Sequence, residues 1–104
     1  MLDVKAWLET TTMKVAEDSF LKPPVLPYIV FTDETNVRGS DDKNSIADRK
    51  LSIELYMVKI NKDTEKLIED LLNAIPIEYK KNRTWIKAEM FFQTVYDFDL
   101  IEKI

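Results

Sequence analysis

The chain has 104 residues, with 15 Lys and Arg against 19 Asp and Glu for a formal net charge of −4, and it contains no Cys, no His and one Gly. Without Cys there is no disulfide, thiolate metal site or thiol nucleophile, and without His the usual general base at neutral pH is gone. One Gly cannot build a phosphate-cradling loop, and the acidic balance argues against sequence-specific nucleic-acid binding.

The length is that of one domain, predicted over residues 1–104. No stretch approaches the roughly 20 apolar residues that span a bilayer. Met1-Leu2-Asp3-Val4-Lys5 lacks the basic start of a signal peptide. A soluble intracellular protein is expected, with no membrane partner.

In chain order, residues 3–11 predict a short helix. Asp3 caps it, and Val4, Trp7, Leu8 and Thr11 fall at the spacing of one helical face. Three consecutive threonines, Thr10 to Thr12, disfavour continuation. A weak strand follows at 13–17. The proline-rich run Lys22 to Pro27 is a stiff connection, and Tyr28 to Thr32 has high strand propensity throughout. Residues 33–50 are polar, with nearly cancelling charges, and are expected to form a long hairpin loop.

Leu51 to Met57 alternates cleanly, placing Leu51, Ile53, Leu55 and Met57 on one face of a strand. A second helix is expected to start at Asp63 and end at Pro76, with Leu67, Ile68, Leu71, Leu72 and Ile75 as its apolar stripe and Glu65, Lys66, Glu69, Asp70 and Asn73 in water. Residues 79–86 read as strand–turn–strand, turning at Lys80 to Arg83. A final strand covers about residues 87–99. Runs of strands broken by helices predict an α+β fold, a mainly antiparallel sheet with two helices packed on one face.

No residue set points to catalysis. The carboxylates Asp33, Glu34, Asp41 and Asp42 lack the spacing of a calcium loop, and basic neighbours dilute their field, so no metal or cofactor is expected. Glu54 and Glu89, placed on opposed strands, are the pair a glycosidase would need, but they read as the wet face of a sheet. Lys80, Lys81 and Arg83 beside Tyr79 and Trp85 have the composition of a nucleic-acid patch, yet suit a charged turn.

The last strand is different, because it carries large residues on both faces: Phe92, Tyr96 and Phe98 on one, Phe91 and Val95 on the other. At about 3.3 Å per residue it would run about 40 Å, well beyond the usual strand of roughly 17–20 Å. A small sheet with helices on one side covers one face only. The second face therefore calls for another subunit, for a second helix layer, or for loop 33–50 folded over it. The interface candidates are Arg38, Asp41, Asp42, Lys43, Tyr56, Phe91, Gln93 and Val95.

Three segments carry a resemblance. The proline-flanked strand Lys22-Pro23-Pro24-Val25-Leu26-Pro27-Tyr28-Ile29-Val30, the strand Leu51-Ser52-Ile53-Glu54-Leu55-Tyr56 leading into Lys62 to Leu72, and the closing segment Trp85-Ile86 with Glu89 to Tyr96 resemble small tail completion (head–tail joining) proteins from long-tailed phages and prophages of Gram-positive bacteria. The resemblance covers about residues 20–100. The segments around Asn36 to Asn44 and Lys80 to Arg83 do not follow it.

It implies a tail terminator-like fold and a structural role without catalysis or cofactor. It also implies a homo-oligomer, a hexameric ring that completes the tail tube and contacts the tail tube protein and the head connector protein. Such a protein is located in the virion, in its tail, and in the host cytoplasm during assembly. DNA would pass through the ring without being read. The alternative from another class is a small intracellular adaptor that binds a partner protein through an exposed sheet face.

Overall fold

Among the described residues the elements run α1 (Val4–Glu9), β1 (Lys14–Glu17), β2 (Tyr28–Arg38), β3 (Ile46–Met57), α2 (Lys62–Asn73), β4 (Tyr79–Ile86) and β5 (Phe91–Lys103). The coordinates are a computed structural model that describes residues 1–39 and 45–104. The strands form one sheet in the order β1-β2-β3-β5-β4. β1 runs parallel to β2 and the other pairs are antiparallel. Both helices pack on the same sheet face, which makes the fold α+β as expected.

Local chemistry sets the helix ends. The Asp3 carboxylate accepts from the Ala6 amide at 3.1 Å, which satisfies one orphan donor. At the other end the Thr10 and Thr11 hydroxyls donate to the Trp7 and Leu8 carbonyls at 2.6 and 2.7 Å, taking up acceptors that another turn would have used. In α2 the cap is Asn61, two residues before the expected start. Its side-chain oxygen accepts from the Asp63 and Thr64 amides at 3.1 and 3.2 Å, while Asp63 and Glu65 sit in the positive first turn.

Strand alternation builds the core. Ile29 and Phe31 of β2, Leu51, Ile53, Leu55 and Met57 of β3, and Tyr96 and Phe98 of β5 face the helices. Val4 and Leu8 of α1 and Ile68 and Leu72 of α2 close over them. Leu67, assigned to the buried stripe from its spacing, is 46% exposed, because the stripe that meets the sheet is centred on Ile68 and Leu72.

Two expectations are corrected. Residues 33–50 are mostly strand: β2 runs on to Arg38 and β3 begins at Ile46, with pairing unbroken from Tyr28↔Tyr56 to Arg38↔Ile46. Polarity there marks strand faces that have no helix above them. Residues 79–86 are one strand, paired from Tyr79↔Phe98 to Ile86↔Phe91, and the turn comes after it, at residues 87–90. Lys81 and Arg83 looked like turn residues because their partners lie far off in sequence, on α2.

The sheet outruns its cover. β1 pairs with β2 only as far as Phe31, and β4 pairs with β5 only as far as Phe98. Past those points β2, β3 and β5 continue as a three-stranded arm, giving the molecule a longest dimension of 51 Å.

Arg49 holds the arm to the body. Its side chain is 4% exposed. It donates to Asp33 at 2.6 Å, to the Leu2 carbonyl at 2.9 Å and to the Glu102 carboxylate. Glu102 in turn accepts from the Leu2 amide at 2.7 Å. Burial works against the charges on Asp33 and Glu102, but hydrogen bonds from Arg49 outweigh it and hold both carboxyls below their ordinary range.

Replacing Arg49 by Met leaves the half-buried Asp33 and Glu102 carboxylates without the guanidinium that bridges them. Arg49→Met should cost about 3 kcal/mol in urea denaturation, whereas Arg38→Ala, which breaks an exposed, solvent-screened pair with Asp48, should cost far less. Equal costs would show that Arg49 does not anchor the arm.

Candidate interaction surfaces

On the sheet face away from the helices, register arranges side chains in rows across the strands. Tyr28, Tyr56, Gln93 and Thr84 form one row, and Val30, Glu54, Val95 and Asn82 the next. Beyond them the rows turn polar: Thr32, Ser52, Asp97 and Lys80, then Glu34, Lys50 and Asp99. The second apolar face expected from β5 is thus real at one end of the sheet and absent at the other, where Asp97 and Asp99 take the outward positions.

At the apolar end four rings lie in sequence. Phe20 meets Tyr28 edge-on at 5.3 Å between centroids, Tyr28 and Tyr56 are 5.2 Å apart, and Tyr56 and Phe91 are 5.0 Å apart. The Gln93 amide donates to the Tyr56 hydroxyl at 3.0 Å, and that hydroxyl donates to Glu54 at 3.1 Å. Burial and the Glu54 charge push the Tyr56 phenol above its usual range, against the Gln93 hydrogen bond. Tyr28, met edge-on by Phe20, and Val30 are buried. Among the described residues the cover at this end therefore comes from the connection after β1, and no second helix layer lies on this face.

The structure brings together Tyr56, Phe91 and Gln93, with Val95 in the adjoining row. Arg38 stands apart at the tip of the arm, paired with Asp48. Asp41, Asp42 and Lys43 lie outside the described residues. Glu89 sits in the turn between β4 and β5 and not on a strand opposed to Glu54. Among the described residues no group of acidic side chains is placed to hold a metal ion. Sequence reasoning missed Phe20, whose only signal was an aromatic residue just ahead of the proline-rich run.

A second constellation fixes the β4 edge. Glu65, expected in water, is fully buried between α2 and the sheet. Its carboxylate accepts from Arg83 Nε at 2.9 Å, Lys81 Nζ at 3.1 Å and Thr94 Oγ1 at 2.8 Å. Beside it the Tyr96 hydroxyl donates to Glu69 at 2.7 Å, and burial together with that carboxylate raises the phenol's pKa strongly. The alternation of Lys81 and Arg83 toward the helix, with Lys80 and Asn82 outward, was the available signal.

Burial opposes the Glu65 charge, yet the hydrogen bonds from Arg83, Thr94 and Lys81 win and hold the carboxyl at about 2, against an ordinary 4.5. A lowered folded-state pKa stabilises the fold above the unfolded value and loses that contribution as pH falls from about 4.5 to about 2. In urea denaturation the parent chain should lose about 2 kcal/mol more than Glu65→Gln between about pH 6 and about pH 3. Parallel losses would mean the carboxylate is not held as described.

No family model matches the chain, and no curated protein matches it at a significant level. Among solved structures it is similar to a chain of the virion of a native gene transfer agent particle, with a TM-score of 0.62 and 10% sequence identity, over 93% of this chain and 84% of that one. At that identity the likeness is one of fold: the sheet and helices described above are an arrangement also found in a virion component.

Proposed function

We propose that this chain is a structural protein of a phage-like virion, of the tail completion type, which closes the tail tube and joins it to the head connector as a ring. The fold shared with a virion chain supports the class of role. The observation that carries the ring is the arm with both edges open. Among the described residues, Thr32–Arg38 on one side and Asp99–Lys103 on the other have no outer strand neighbour. The two open segments lie in the same rows of the sheet, since Glu34 lines up through Lys50 with Asp99 and Arg38 through Ile46 with Lys103.

Open strand edges present unpaired N–H and C=O groups, and a strand from a neighbouring copy satisfies them. Pairing the β2 edge of one copy with the β5 edge of the next is a head-to-tail contact. It closes when each copy is rotated by about 60° for six subunits. The role is that of a non-enzymatic scaffold without cofactor, active in the virion and assembled in the host cell of a phage or prophage.

Two experiments test this. Deleting the gene should leave filled heads and tail tubes that lack their closing ring and do not join, as seen by electron microscopy; joined particles at the normal level would refute the role. For the contact, the absence of native Cys makes cross-linking clean. Asn36→Cys combined in one chain with Asp99→Cys, Ile101→Cys or Lys103→Cys should give a disulfide ladder ending in a closed species on assembled tails, and the single variants should give none. Dimers from Asn36→Cys alone would mean like edges pair.

A further inference from the structure

The four rings on the outer face line a groove that the ring contact at the arm does not use. It encloses about 340 Å³, at the small end of the range for ligand sites. Tyr28 and Tyr56 form its floor, Phe20 with Asp18 comes from the connection after β1, and Phe91 with Glu89 comes from the start of β5 and the turn before it. Neither Asp18 nor Glu89 makes an ion pair among the described residues. Glu89 acts inside the groove: after burial, its charge is the second cause that lifts the Tyr28 phenol above its ordinary range.

We infer that this groove docks a partner protein through an arginine side chain, carried on an extended segment, that lies over the half-buried Tyr56 and Phe91 rings between the Asp18 and Glu89 carboxylates. The charge excludes the other occupants. A purely apolar segment would strip water from two carboxylates and return no partner, which is costly. An acidic one would be repelled. A guanidinium satisfies both walls at once, because its planar face is attracted to aromatic rings within about 6 Å and its edge offers five N–H donors to carboxylates. The cation nearest in register is Lys14, opposite Tyr28 on the exposed β1 edge, and with Glu54 in the next row the carboxylates outnumber it. The volume takes an arginine and the residue beside it. This inference stands whether or not the chain forms a ring.

The test is an NMR titration of the full chain with acetyl-Gly-Arg-Gly-amide, and with the same tripeptide carrying citrulline, which keeps the shape and loses the charge. The arginine probe should produce saturable shifts centred on the Tyr28, Tyr56 and Phe91 rings, with the citrulline probe binding at least about threefold more weakly. Glu89→Gln and Phe20→Ala should each raise the Kd for the arginine probe by about threefold or more while the core signals of Leu55 and Tyr96 stay in place. Asp48→Asn, at the far end of the arm, should leave it unchanged. Equal affinity for citrulline, shifts centred elsewhere, no saturable shift, or indifference to Glu89→Gln would each overturn the proposal.

Discussion

The length mismatch between the sheet and its helices governs this structure. A 13-residue strand such as β5 spans about 43 Å, whereas the 12 residues of α2 span about 18 Å. α1, with 6 residues, adds about 9 Å. Two such helices cannot roof the whole sheet face, so the apolar core is confined to the part of β2, β3 and β5 beneath them. Beyond it the same strands have to remain strands without a hydrophobic lid, and the sequence accommodates this by turning polar along Asp33 to Arg38 while keeping the register of the hairpin.

Buried charge takes over where apolar area runs out. Arg49 reaches from β3 to both neighbouring strands and to the backbone at Leu2, so one guanidinium ties the arm, the chain's first residues and the sheet into one unit. Glu65 does the corresponding work at the other edge. A buried ion pair is often no more stabilising than the apolar residues it replaces, but it is demanding about geometry. If β4 slipped by one residue against β5, Lys81 and Arg83 would turn to the outer face and leave Glu65 charged under α2 without a cation, with the Thr94 hydroxyl as its remaining donor. The carboxylate therefore specifies the register of an edge strand that few apolar contacts hold.

That division also explains what the sequence disclosed. The α+β class, both helices, the inner faces of β3 and β5, and the doubled apolar character of β5 all follow from periodicity, because apolar burial writes itself as spacing. The outward cluster of Tyr56, Phe91, Gln93 and Val95 was legible for the same reason. The arm was not: Asp33, Arg49 and Glu102 look like solvated charges until register brings residues 16 and 53 positions apart within hydrogen-bond distance. Glu65 was misread as a wet position on α2, since its partners lie on β4 and β5. Phe20 escaped notice because a side chain that caps a patch from a connecting segment follows no period at all.

The open edges carry the final step. An exposed edge strand invites indiscriminate pairing, and charged side chains on it are one way proteins restrain that. Here the open stretch of β2 holds Asp33, Glu34 and Arg38, and that of β5 holds Asp99, Glu102 and Lys103, so neither is a bare apolar ribbon. Both strands run antiparallel to β3 and hence parallel to each other. Continuing the sheet from β5 of one copy to β2 of the next in that sense keeps every arm pointing the same way, as cyclic symmetry requires. Antiparallel pairing of like edges would set two arms in opposite directions and end at a dimer. In the proposed ring the direction of pairing follows in this way from the strand order, and what the edges need from their side chains is only discouragement of the wrong pairing.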